Sequence, residues 1–231
     1  MSYTKRFDGR GQDEIRPMSA KVGIIPRADG SAMFQIGKTM ALCAVYGPRD
    51  LHPKFMQNPE TGILRVSYNM MPFSGHGERV RPGGGRRSKE ISMVIQNALL
   101  PVLDLKDYPN AVVDVFVELP QTDAGTRCAA ICAAAMALAD AGLEMKDLVC
   151  AVATGRVEDK IVVDLNYYED SHEDGADLPI AVLPNSGKVT LMQMDGEMTK
   201  EQINEAITKA REACKKIYEV QKAALKARFK R

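Results

Sequence analysis

Gln121-Thr122-Asp123-Ala124-Gly125-Thr126-Arg127 is the stretch of this chain best equipped to hold a small anion. It follows an apolar, strand-like run, Val112 to Leu119, and opens a small-residue run, Cys128 to Ala141, that reads as a helix. A helix start leaves backbone N–H groups unpaired and carries a partial positive charge. Gly125 lets that backbone come close to a ligand, Thr126 offers a hydroxyl, and Arg127 adds a fixed cation. Together they make a seat for a phosphate-sized group. The competing interpretation is a plain helix cap at Asp123 or Thr126, with Arg127 in solvent.

Two further segments carry chemistry. The loop from Gly75 to Arg87 is the most basic of the chain, with Arg79, Arg81, Arg86 and Arg87 among Gly75, Gly77, Gly83, Gly84 and Gly85. It lacks the Gly-x4-Gly-Lys-Ser/Thr order of a Walker A loop. The segment Asn166 to Asp177 is dense in carboxylates: Glu169, Asp170, Glu173, Asp174 and Asp177, with Asp164 just before it. Carboxylates at strand ends can coordinate a divalent ion or protonate a leaving oxygen, although the spacing is not that of an EF-hand. Each loop alone also fits a solvated charged loop. An anion seat, paired arginines and an acidic loop together supply the parts of phosphoryl transfer.

Composition narrows the class. The 231 residues suffice for one large domain or two small ones packed together. Apolar content of 45% and charged content of 26% are ordinary for a globular protein. With no Trp and 6% aromatics, base stacking is not expected to dominate any nucleic-acid contact. A net charge of +1 leaves partner choice to local charge. Five scattered cysteines without a CxxC pair predict reduced core thiols, and three separated histidines speak against zinc. No membrane span or secretory leader is visible, so a cytoplasmic location with no membrane partner is expected.

The elements that position these residues follow in order. Residues 1–18 read as an extended arm. From Ala20 a β-meander is expected: Ala20–Pro26, Ser31–Ile36 and Thr39–Tyr46, then a Pro-rich loop to Gly62 and a strand Leu64–Met70. Ile91, Val94, Ile95, Ala98 and Val102 form a helical stripe within a helix expected over Ser88–Leu103. After the helix opened by the anion seat, Gly142 gives a stop. Strand signals resume at Val149–Arg156, Lys160–Leu165, Leu178–Leu183 and Lys188–Met194. Thr199 with Gln202 predicts a capping box for a long last helix whose basic end, from Lys222, is expected to fray. The prediction is an α+β fold: an arm (1–18) and two β-sheet-plus-helix units (19–147 and 148–231) packed as one body.

On these motifs the chain resembles the RNase PH family of phosphorolytic 3′→5′ exoribonucleases, most closely the catalytic type of subunit in archaeal exosome cores. The resemblance spans almost the whole chain. It is carried by Phe7-Asp8-Gly9-Arg10 with Glu14-Ile15-Arg16-Pro17, by Gly47 to Pro53, by Arg86-Arg87-Ser88-Lys89-Glu90-Ile91-Ser92, by Gln121 to Arg127, and by Asp164 to Pro179. It implies two related β-sheet and helix units, and a hexameric ring with a central channel, built as a trimer of heterodimers with a paralogous subunit and topped by RNA-binding cap subunits. Gly125, Thr126 and Arg127 match the family's phosphate-binding segment. Arg86 and Arg87 match its RNA-contacting arginines, and Arg65 falls where similar subunits place a basic residue near the channel constriction. Asp170 and Asp177 match its paired catalytic aspartates. Their spacing is one residue longer than usual, which makes Asp174 a rival for either place. Thr122 stands where many members carry Ala, a change expected to be without consequence.

The chemistry so implied is attack by inorganic phosphate, as co-substrate, on the last phosphodiester of single-stranded RNA. Asp170 protonates the departing oxygen or positions a magnesium ion, held with Asp177, and a nucleoside diphosphate leaves. The reverse reaction adds 3′ tails. Two alternatives stay open from sequence: a homohexameric RNase PH trimming tRNA ends, and a non-catalytic RNA-binding ring subunit.

Overall fold

Alternating apolar residues along the first part of the chain build an antiparallel meander. In the computed structural model, which describes residues 5–76, 79–81 and 84–230, strands β1 (Met18–Val22), β2 (Gly30–Ile36) and β3 (Thr39–Asp50) pair in sequence order. The turn between β2 and β3 is tight, and Gly37 takes the left-handed φ of 56° that it needs. Strand β4 (Ile63–Met70) leaves the meander for the far edge, where it runs parallel to β5 (Ala111–Gln121). A parallel pair needs a crossover, and helix α1 (Arg86–Leu99) supplies it. The first sheet therefore has the order β1-β2-β3-β5-β4.

The second sheet is fully antiparallel, in the order β7-β6-β8-β9: β6 (Cys150–Val157), β7 (Lys160–Val163), β8 (Gly175–Val182) and β9 (Val189–Met192). Helix α2 (Thr126–Asp140) lies between the sheets, touching β2 and β3 on one side and β6 and β8 on the other. Its residues from Cys128 to Leu138 are all buried, as expected of a helix without a polar face. The alanines that dominate this run keep it thin enough for two sheets to close on it. A short helix, α3 (Tyr167–Asp170), follows β7, and α4 (Lys200–Phe229) packs across β1, β6 and β7. One continuous apolar core runs through both sheets, so the α+β architecture and the close packing of the two units agree with expectation.

Local departures have local causes. β3 runs on to Asp50 because a register shift between Tyr46 and Arg49 carries Pro48, which cannot donate to the ladder, out of the pairing. α1 begins at Arg86, two residues early, and gives way to a 3-10 turn before Leu103 because Pro101 has no N–H for another α-turn. The acidic segment is not all loop: Asn166 caps α3 by accepting N–H groups of Tyr168 and Glu169, and β8 starts at Gly175. Asp177 is thus inside a strand rather than at its end. The Thr199–Gln202 capping box forms as expected. The helix it opens does not fray from Lys222; it continues to Phe229, where Arg228 lies 3.5 Å from Asp140. Gly77, Gly83, residues 1–4 and Arg231 lie outside the described residues. Among those described, no helix is long and apolar enough to cross a membrane.

The closeness of β2 to α2 gives a direct test. A Cβ on Gly30 would meet the Ala137 carbonyl oxygen and the Ala141 nitrogen at 2.3 Å, both backbone atoms that cannot swing aside. Gly30→Ala is expected to lower unfolding stability by about 1–3 kcal/mol, read as a fall in the urea midpoint at unchanged slope.

Candidate active site

The anion seat sits where β5 ends and α2 begins. Ala124 and Gly125 both take left-handed conformations, with φ of 56° and 65°. For Ala this is strained, and it is held by outside bonds: the Thr39 hydroxyl donates to the Ala124 carbonyl at 2.7 Å and accepts the Asp123 N–H at 2.8 Å. Gly125 is the N-cap, and among the described residues no side chain caps the helix. The plain-cap interpretation therefore fails, because the Asp123 carboxylate turns away to accept the Tyr167 N–H at 3.1 Å. The first N–H groups of α2 are left for a ligand.

These groups open into a cavity of about 280 Å³. Gly125, Thr126 and Arg127 line it from one side, Arg87 from the start of α1, Asp170 from α3 and Asp177 from β8. The sequence-predicted phosphate, catalytic and one of the RNA-contacting residues thus converge. Arg86, in the first turn of α1, is exposed and lines no part of the cavity. Arg65 lies elsewhere, on the outer face of the first sheet, where it and Arg49 both bond the buried Asp114. Asp174, the rival carboxylate, is exposed and outside the cavity. Of the two loop aspartates matched to the site and their rival, only Asp170 and Asp177 line the cavity.

Electrostatics suit acid chemistry. Burial pushes the Asp177 carboxyl up to about 7, helped by the charge of Asp170 and opposed by Arg127. Burial also raises Asp170, with Arg87 and Arg127 pulling the other way. Arg127 Nη1 stands 3.5 Å from Asp177 Oδ2. Among the described residues, Arg127 Nε and Asp177 Oδ1 are buried without a hydrogen-bond partner. A donor and an acceptor left open at one wall mark a place for a ligand to complete.

Several residues of the site were not foreseen. His76 stacks on Tyr167, with ring centres 4.7 Å apart, and both line the cavity. Thr122 is not idle: its hydroxyl and its N–H both donate to the Ser74 carbonyl, at 3.0 and 2.9 Å, fastening the basic loop to the seat. Beneath the cavity lies a buried charge frame. Arg6 bonds Glu169 through Nε at 2.8 Å and Nη2 at 2.7 Å, and Arg16 holds Asp164. The only sequence signal for these was the density of arginines in the arm against acids more than a hundred residues later.

The lifted carboxyl predicts a pH effect. With its folded-state pKa near 7 and an ordinary value of 3.8 when unfolded, Asp177 holds an extra proton in the fold between those values. Stability therefore falls as pH rises through that window. Asp177→Asn should gain more over the wild type at pH 8 than at pH 5, by on the order of 1 kcal/mol, in urea unfolding; an equal effect at both pH values would contradict the assignment.

Comparison with known proteins gives the family. The chain matches models for the 3′ exoribonuclease family, domain 1 over residues 14–144 and domain 2 over residues 147–213. It is 50% identical to the exosome complex component Rrp41 of Methanopyrus kandleri, covering 97% of this chain and 93% of that one. It is 51% identical to the protein of the same name from Thermococcus kodakarensis, covering 97% and 90%. Rice Rrp46 superposes with a TM-score of 0.81 at 28% identity, over 95% of this chain and 100% of that one. The Archaeoglobus fulgidus exosome, solved with RNA bound to the active site, has a chain of the same fold, with a TM-score of 0.80 at 24% identity over 94% and 92%. With both domain models matched in order and half its residues shared with full-length relatives, the chain belongs to the RNase PH, or 3′ exoribonuclease, family.

Proposed function

We propose that this protein is the catalytic RNase PH-type subunit of an archaeal exosome, a 3′→5′ exoribonuclease that cleaves with inorganic phosphate rather than water. The observation that carries the proposal is the convergence, in one cavity, of a helix N-terminus without a cap, Arg127, and two aspartates whose carboxyls are held toward protonation. A hydrolase has no need of a second anion seat beside the scissile phosphate; a phosphorolytic enzyme does.

Phosphate, held by Arg127 and by the N–H groups after Gly125, attacks the last phosphorus of the RNA in line with the departing 3′ oxygen. An O–P bond to phosphate forms and the P–O3′ bond breaks. Asp170 gives its proton to that oxygen, yielding an RNA one residue shorter and a nucleoside diphosphate. Asp177, beside Asp170, keeps the shared proton available. Arg87 holds the RNA backbone at the cavity, and Arg86 and Arg65 act farther along the strand. Positioning and charge stabilisation supply the catalysis, without a covalent intermediate. Because a diphosphate replaces a diester, excess diphosphate drives 3′ tailing.

The two carboxylates also fit a magnesium ion. Among the described residues no group of three or more His, Cys, Asp or Glu forms a metal cage, but magnesium takes one or two carboxylates and completes its shell with water and phosphate. Asp170 and Asp177 would hold it, and when bound it would neutralise charge developing on the leaving oxygen. The partners that follow are single-stranded RNA, a paralogous RNase PH-type subunit completing a hexameric ring, and RNA-binding caps.

Incubating the protein, with its paralogous partner, with labelled RNA tests the proposal. Nucleoside diphosphates should appear only when phosphate is supplied. Arg127→Ala should raise the KM for phosphate by on the order of 100-fold, and Asp170→Asn should lower kcat by a similar factor or more. Phosphate-dependent degradation at an undiminished rate in Arg127→Ala would overturn the assignment of the seat.

A further inference from the structure

The two halves of the site come from different sheets. The seat follows β5 in the first sheet, whereas the turn bearing Asp170 follows β7 in the second. Among the described residues no strand ladder joins them, yet attack by a seated phosphate requires their separation to be held within a fraction of an ångström.

Arg16 spans that gap. It is 5% exposed and lines no part of the 280 Å³ cavity. Its backbone N–H and its Nε both donate to Asp164 Oδ2 at 2.8 Å, and Nη2 donates to Asp164 Oδ1 at 2.7 Å. On the other side Nη1 donates to the Asp123 carbonyl and stands 3.5 Å from Asp123 Oδ2. A Cβ on Gly125 would lie 3.6 Å from Nη2, so the guanidinium also rests against the N-cap of α2. The loop closes through Tyr167, whose N–H reaches Asp123 Oδ1 at 3.1 Å. Asp164 itself sits at a left-handed φ of 58°, a conformation unusual for a non-glycine residue and fixed here by these bonds.

Resting on the phosphorolytic assignment above, we infer that Arg16 is a positioning residue: one guanidinium fixes the distance between the phosphate seat and the turn that carries Asp170. The task needs Arg rather than Lys, because only a planar fork can grip the Asp164 carboxylate through two nitrogens while a third reaches Asp123. A lysine keeps the charge but can serve one side at a time.

The test uses the assembled protein with its ring partner and compares Arg16→Lys with Gly30→Ala, which also destabilises the fold but from the far end of α2. Arg16→Lys should raise the KM for inorganic phosphate about tenfold and lower kcat about tenfold, with the KM for RNA within twofold of wild type. Gly30→Ala should leave the KM for phosphate within twofold. Should Arg16→Lys not fold, Asp123→Ala, which removes the carboxylate from the same tie, should show the same rise in phosphate KM. A phosphate KM within twofold of wild type in the folded variant would overturn the inference, as would an equal rise in Gly30→Ala. Wild-type protein degrading RNA without phosphate would instead overturn the phosphorolytic assignment itself, so the two failures are distinguishable.

Discussion

Arg127 and Asp177 face each other at 3.5 Å, one from the first turn of α2 and the other from the start of β8. Everything at the site depends on that meeting. α2 is the element both sheets close upon, and its alanine-rich surface lets β8 come near enough for a strand carboxylate to reach a helix-start guanidinium. Burial of the pair's surroundings raises the carboxyl toward neutrality, and the partner charge is not enough to reverse it. An isolated carboxylate there would be costly; a carboxylate awaiting a proton, a cation or a charged substrate is not. The fold thus places an acid where phosphate chemistry needs one.

Stability and function divide between two sets of charges. Arg6 with Glu169, and Arg16 with Asp164, are buried and bonded through several atoms, so they work as fixed struts. Removing one partner of such a pair leaves a buried charge without compensation, at a cost of about 3–5 kcal/mol. Arg87, Arg127, Asp170 and Asp177 line open space, and two of their polar atoms are buried without partners among the described residues. The first set is satisfied so that the second can remain unsatisfied. The extended arm is therefore structural: it supplies the arginines that hold the acid-bearing segment in place.

Local signals in the sequence carried much of this. Gly125-Thr126-Arg127 before a small-residue run marked a helix start with an open N-terminus, and Thr199 with Gln202 marked a capping box, because both motifs act within a few residues. The meander up to β3 followed from short strand-like runs separated by turn residues. Partnership across the chain was not legible. Nothing near Arg16 announces Asp164, nothing near Thr122 announces Ser74, and the strained backbone of Ala124 has no residue-type signature at all. The place of β4 in the sheet was not legible for the same reason: its parallel partner β5 lies beyond a whole helix. Asp170 and Asp177 were separated from Asp174 only when the structure put the last of these in solvent.

The central claim is that a free phosphate ion is the attacking group. Isotope tracing addresses it without mutation: RNA is degraded in the presence of phosphate bearing ¹⁸O, in unlabelled water, and the released nucleotides are analysed by mass. The account predicts labelled oxygen in the terminal phosphate of nucleoside diphosphates. Unlabelled nucleoside monophosphates, which acquire ¹⁸O when the label is moved from phosphate to water, would contradict it.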